Sequence, residues 1–196
     1  MPEMPATAKA FATSRLSGLI TRRIVVPWVL QGERLAGEGL EIGAGGGAMT
    51  AQLLAMFPEL QMVATDYDAD MVEAARENVA PFEDRARVER ADAADLPFRD
   101  GRFDLVLSAA MLHHVVAWEK ALSECARVLR PGGRLLGYDL VDTAVIRLMH
   151  FGGAHETRLL RPAQLRAELD RLHLTDVRTW SGLGGLVVRF AATKAA

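Results

Sequence analysis

The sequence predicts an α/β protein built on a mostly parallel β-sheet with helices on both faces. Two observations carry this reading. From residue 39 onward, short apolar runs alternate with stretches of helical spacing, the rhythm of consecutive βαβ units. Near the end of the chain, two further apolar runs are joined by the glycine-rich "SGLGG", which lets that pair fold back antiparallel.

The elements follow in order. "GLEIG" at 39–43 reads as a strand and "AMTAQLLAMF" at 48–57 as the helix after it. "LQMVATD" at 60–66 and "ADMVEAARENV" at 69–79 repeat the pattern. Asp68 stands before that second helix as its N-cap, because a short acidic side chain can take first-turn N–H groups that lack a partner inside the helix. "ARVERAD" at 86–92 and "FDLVLSA" at 103–109 are strands. "WEKALSECARVL" at 118–129 is a helix stopped by "RPGG", since proline lacks an amide donor and glycine accepts left-handed backbone. "GRLLGYDLV" at 133–141 is the fifth strand. "RPAQLRAELDRLHL" at 161–174 is helical by the spacing of Leu165, Leu169 and Leu172, and "DVRTW" and "LGGLVVRFAAT" close the sheet. Residues 1–36 form a helical extension placed to act as a lid, and residues 141–160 are a second segment able to roof a site.

A chain of 196 residues suits one such domain. The formal net charge of −2 gives none of the basic excess that nucleic acid binding demands, so nucleic acid is not an expected partner. Cys125 is the sole cysteine, cannot form an internal disulfide, and reads as a small buried thiol. The most apolar early stretch, "GLITRRIVVPWVL", is cut by Arg22, Arg23 and Pro27, well short of the roughly 20 apolar residues that span a bilayer, so stable membrane insertion is not expected. The opening "MPEMPATAKAFATSRL" lacks the basic, apolar and small-residue regions of a secretory signal, and a cytoplasmic location follows as the expectation. The oligomeric state, monomer or homo-oligomer, stays open.

The stretch "LEIGAGGGAMT" at 40–50 carries the chemistry. A loop this bare can adopt positive φ and lets a ligand approach the main chain without interference from Cβ atoms. Gly43, Gly45 and Ala48 satisfy the dinucleotide fingerprint G-x-G-x-x-G/A, with Asp66 about 20 residues on at the end of the next strand, where a carboxylate can accept both ribose hydroxyls. Two ligands fit that pattern, a dinucleotide and another adenosine-type cofactor. Glu41 separates them: a carboxylate beside the loop repels a pyrophosphate and attracts an ammonium group. In "ADAADLPF", Asp92 can accept from an adenine amino group while the amide of Ala93 donates to the ring.

"LEIGAGGG", "VATDYDADMVEAAREN", "ADAADLPFRDGRFDLVLSAAMLHHV" and "RVLRPGGRLL" together resemble the successive motifs of class I S-adenosylmethionine-dependent methyltransferases. The resemblance implies a Rossmann-like seven-stranded sheet whose last strand is antiparallel, with residues 37–196 as a single methyltransferase domain. It further implies S-adenosyl-L-methionine as cofactor. Glu41, Gly43, Ala44, Gly45 and Gly47 would surround its methionine part, with Asp66 on the ribose and Asp92 and Ala93 at the adenine. Tyr67 and Met71 match positions that pack on the adenine, and Ser108 matches one on the sulfonium side. "SAAM" stands where relatives that methylate nucleobase or glutamine amines carry an "NPPY"-like tetrapeptide, which leaves a small-molecule acceptor with an oxygen, nitrogen or carbon nucleophile.

Methyl transfer is an in-line displacement in which positioning supplies most of the rate. A hydroxyl nucleophile gains from losing its proton, and His113 or His114, just past the fourth strand, stands where such a base belongs. Tyr138 and Asp139 at the end of the fifth strand, and Phe151 beyond it, are the expected acceptor contacts. No compact spacing among His150, His155, Asp139 and Asp142 supports a metal. Two other readings share the fold: an NAD-binding oxidoreductase, and a non-catalytic cofactor-binding subunit of a partner methyltransferase.

Overall fold

The computed structural model describes residues 9–10, 13–82, 84–150 and 157–196. Seven strands form one sheet: β1 (Gly37–Ile42), β2 (Leu60–Asp66), β3 (Ala86–Arg90), β4 (Phe103–Ala109), β5 (Leu129–Leu140), β6 (Leu174–Gly182) and β7 (Val187–Lys194). Their order across the sheet is β3-β2-β1-β4-β5-β7-β6. The pairs among β1 to β5 are parallel, and β7 runs antiparallel to both β5 and β6. The expected architecture, with its antiparallel last strand, is the one observed.

The α-helices bounded within the described residues are α1 (Arg15–Ile20), α2 (Val26–Leu30), α3 (Ala48–Met56), α4 (Ala69–Val79), α5 (Trp118–Val128), α6 (Ala144–His150) and α7 (Pro162–Arg171), with a π-helical turn over Thr21–Val25 between the first two. On one face of the sheet Trp118 and Leu122 of α5 and Leu165 and Leu169 of α7 pack with Phe103, Val106 and Phe190. On the other, Val26 and Val29 of α2 and Leu53 and Leu54 of α3 pack with Met62, Leu105 and Leu136. Burying both faces explains why the central strands read as near-continuous apolar runs. Cys125 is fully buried in the first of these cores, where desolvation pushes its thiol up to about 12.

Caps fall where the residue types place them. The Asp68 carboxylate accepts the N–H groups of Asp70 and Met71 at 3.0 and 3.4 Å. α5 stops at Val128, and the "RPGG" segment then enters β5, pairing Leu129 with Phe103 before an irregularity resets the register at Arg134 opposite Leu105. The last helix is shorter than its apolar spacing predicts. It ends at Arg171, and His173 takes a left-handed φ of 54°, turning the chain so that β6 begins at Leu174.

Sheet order reverses between β1 and β4, where the crossovers leave in opposite directions. In open α/β sheets that switch point is where ligands bind, beyond the carboxyl ends of the strands. Ile42 of β1 stands opposite Thr65 of β2 and Ser108 of β4, so the loops that follow all three strands emerge along one edge.

Candidate active site

The glycine loop runs from β1 into α3. Gly43, Gly45 and Gly47 hold φ of 61°, 53° and 75°, the left-handed region that side chains avoid. At Gly43 a Cβ would lie 2.7 Å from Cβ of Met111, and at Gly47, the N-cap of α3, it would lie 3.0 Å from Cα of Ala75. Gly43 and Gly47 therefore answer both to backbone shape and to close neighbours, and Gly45 to backbone shape. Ala44 anchors the loop to β2 through its N–H to the carbonyl of Thr65, 2.9 Å.

Asp66 closes the loop from the other side. Its Oδ2 accepts the N–H of Gly45 at 2.8 Å and its Oδ1 accepts the N–H of Asp68 at 2.9 Å. Burial pushes this carboxyl above its ordinary range, while the backbone N–H groups of Asp68 and Gly45 pull the other way. The loop and the end of β2 are thus one unit, with the carboxylate between them. Asp92 sits half-buried after β3, its Oδ1 accepting the N–H of Ala94 at 2.9 Å. Ala93 is buried in the core. Tyr67 is half-buried, its ring 5.4 Å from the guanidinium of Arg90, whereas Met71 points into the protein and is buried.

Glu41 behaves differently from the open carboxylate that its position in the sequence suggested. It is 1% exposed, and its Oε2 accepts the hydroxyl of Thr50 on α3. Desolvation pushes its carboxyl up to about 7, partly opposed by the Thr50 hydrogen bonds and helped by the charge of Asp66. Thr50 was not foreseen as a partner. Its place three residues into the helix that leaves the loop was the available signal.

At the end of β4, Ser108 is fully buried and its Oγ has no hydrogen-bond partner among the described residues. Buried hydroxyls are seldom left so, which singles out Ser108 as a candidate ligand contact. His113 is 3% exposed, its Nδ1 2.6 Å from Oδ1 of Asp139. Asp139 is itself fully buried and also takes the N–H groups of Leu112 at 2.7 Å and Leu140 at 2.6 Å. Those bonds turn the Asp139 carboxylate inward, onto the β4–α5 loop, so it holds that loop where an acceptor contact had been expected. His114 is half-buried, its ring centre 4.0 Å from that of His113 with the two planes tilted by 41°. Tyr138 meets Trp28 of α2 edge to face at 5.6 Å, and burial pushes its phenol up to about 12. Trp28 brings the N-terminal extension onto the end of β5, a contact that no local pattern announces. Phe151 and His155 lie outside the described residues.

The residues fit S-adenosylmethionine on the structure's own terms. The loop offers a run of backbone without side chains from Gly45 to Gly47, Asp66 an acceptor for hydroxyls, and Ser108 a buried hydroxyl beside Ile42 at the strand ends. Among the described residues no group of three or more metal-binding side chains forms, and no helix is long and apolar enough to cross a membrane.

Residues 40–137, half of the 196-residue chain, match the family model described as a methyltransferase domain. The chain belongs to this methyltransferase family. A demethylmenaquinone methyltransferase of Clavibacter sepedonicus is 36% identical over 153 residues, which cover 71% of this chain and 59% of that relative. The methyltransferase chain thus spans less than two thirds of that curated relative's length. Among solved structures, a methyltransferase in complex with the Haloferax volcanii Trm112 activator superposes with a TM-score of 0.78 at 16% identity, covering 99% of this chain and 100% of that one. A Haemonchus contortus phosphoethanolamine N-methyltransferase, solved with phosphomonomethylethanolamine and S-adenosylhomocysteine, superposes with a TM-score of 0.72 at 18% identity over 92% of this chain and 52% of its own. At these identities the two structures share the fold.

Proposed function

We propose that this methyltransferase moves a methyl group from S-adenosylmethionine to a small organic acceptor. The observation that carries the reading is Asp66, held by the N–H of Gly45 at the switch point and set where ribose hydroxyls can share its oxygens. Gly43, Ala44, Gly45 and Gly47 would line the methionine part, with Glu41 behind them, Asp92 and Ala93 toward the adenine, and Ser108 near the sulfur. The bound cofactor supplies an electrophilic methyl on a cationic sulfur. This chain's residues do the rest by placement: the loops over β4 and β5 hold the acceptor in line and exclude water. Asp139 orients the His113 ring and pins the Leu112 amide, and His114, the less buried of the two, is the group we assign to take a proton from a hydroxyl acceptor. Trp28 and Tyr138 form an aromatic wall on the acceptor side, suited to a planar or apolar molecule. Family membership favours this reading of the glycine loop over the NAD-binding oxidoreductase that shares its fingerprint.

The test is transfer of labelled methyl from S-adenosylmethionine into fractionated cell extract, beside direct measurement of cofactor binding. Label in the small-molecule or lipid fraction supports the proposal. Label in RNA or protein replaces the acceptor class, and binding without any transfer supports the subunit of a partner enzyme.

A further inference from the structure

A cavity of about 470 Å³ lies between the end of α2 and strands β5, β7 and β6. That size falls within the roughly 300–1,000 Å³ common for small-molecule sites. Its charged lining consists of Arg134, Arg178 and Arg189 with Glu33 and Asp176, and Trp180 forms a wall. None of Glu41, Asp66, Asp92, His113 or His114 contributes to it. In register, Arg189 stands opposite Tyr138 and Arg134 opposite Thr193, so the cavity runs back along the sheet toward the edge away from the glycine loop.

Arg189 is the unusual member. It is 6% exposed, and its guanidinium carbon lies 3.6 Å from the centre of the Trp180 ring. One nitrogen, Nη1, reaches the carbonyls of Trp28 and Val29 in the last turn of α2 at 3.3 and 3.4 Å. Among the described residues its Nε has no partner, and no carboxylate pairs with it. Glu33, the acid that acts on it through charge, is already bonded to Nη2 of Arg134 at 2.6 Å. Arg134 in turn leaves its own buried Nε without a partner among the described residues. A buried cation is costly unless an anion and hydrogen bonds compensate it, and two long contacts to carbonyls do this poorly.

We propose that this cavity binds an oxyanion group, phosphate or carboxylate, of a small molecule through Arg189, Arg134 and Arg178. Planar guanidinium forks match both groups, and the unspent N–H donors are of the type that bidentate pairing uses. Three arginines against two carboxylates leave one positive charge in excess, which one such group neutralises. The site is separate from the methyl-transfer site and does not depend on how that site is read.

The test titrates the whole chain with sodium phosphate, with succinate and with sodium chloride at matched ionic strength, following thermal unfolding and tryptophan fluorescence. Phosphate or succinate, but not chloride, should raise the midpoint saturably, by about 3 °C at ten times the dissociation constant. A response to phosphate alone assigns a phosphate group, and a response to succinate alone assigns a carboxylate. Arg178→Gln, at an exposed side chain that leaves the fold intact, should weaken that affinity about tenfold, and Arg189→Gln should abolish it. If Arg189→Gln fails to fold, Arg134→Gln takes its place with the same expected loss. No saturable response, or unchanged affinity in Arg178→Gln and Arg134→Gln, would overturn the site and leave Arg189 as a cap on α2.

Discussion

The carboxylate of Asp139 stands 2.6 Å from Nδ1 of His113, with both residues shut away from solvent, and it also takes the backbone N–H of Leu112 at 2.7 Å. One buried acid at the end of β5 thereby fixes the loop that follows β4. Asp139→Asn puts an amide where those donors need an acceptor. It should cost on the order of 1–3 kcal/mol in stability, read from denaturant unfolding. Turnover should fall while cofactor affinity holds, and an unchanged unfolding midpoint would remove Asp139 from this role.

His113 and His114 are adjacent, in ring contact and unequally buried. His114→Gln should lower kcat on a hydroxyl acceptor by about 10²–10⁴ without altering cofactor binding. The loss should shrink as pH rises and the acceptor ionises by itself. A flat pH–rate profile that is identical in both proteins would make His114 scaffold.

Glu41 gives the protein a pH dependence of stated sign. Its carboxyl lies at about 7 in the folded chain against an ordinary 4.5, so between these values the folded state keeps a proton that the unfolded state has lost. Stability should fall as pH rises from about 4.5 through 7 and then level off, by on the order of 1–3 kcal/mol. Glu41→Gln should flatten that slope and be the more stable protein at pH 8. Where Glu41 touches the ammonium of the cofactor, wild-type affinity should rise with pH over the same window and the variant's should not, a comparison that calorimetry at several pH values makes directly.

Asp66→Ala should weaken S-adenosylmethionine binding by more than about fivefold, the scale of lost hydrogen bonds to a charged group. The change also strips the N–H of Gly45 of its partner, so the loop loosens. Equal affinity in the two proteins would sink the ribose assignment.

Gly43→Ala meets two obstacles together, a φ of 61° and a Cβ 2.7 Å from that of Met111. A loss of about 1–3 kcal/mol in stability is expected. Gly132→Ala, with φ of 77° and nothing near its Cβ, isolates the backbone cost alone. If both variants unfold at the same denaturant concentration, the Met111 contact contributes nothing.

The alternation of strand and helix, the antiparallel close of the sheet, the Asp68 cap and the bare loop after β1 were all legible in the sequence. Each is a short-range property, set by periodicities of two and 3.6 residues and by what glycine, proline and aspartate allow the backbone to do. Asp66 was legible for the same reason, because a strand end and a loop a fixed distance apart must meet in a βαβ unit.

Tertiary structure alone decided which polar groups face inward and what they hold. Asp139 reads like an acceptor contact until packing turns it onto His113, 26 residues away. Glu41 reads like an open charge until α3 delivers Thr50 to it. Arg189 reads like an ordinary β7 residue until α2, some 160 residues earlier, closes over it. Local preference fixes where the elements begin and end. The protonation of Glu41, the orientation of Asp139 and the unspent donors of Arg189 depend on desolvation and on partners distant in sequence, and those exist only once the sheet and its helices have assembled.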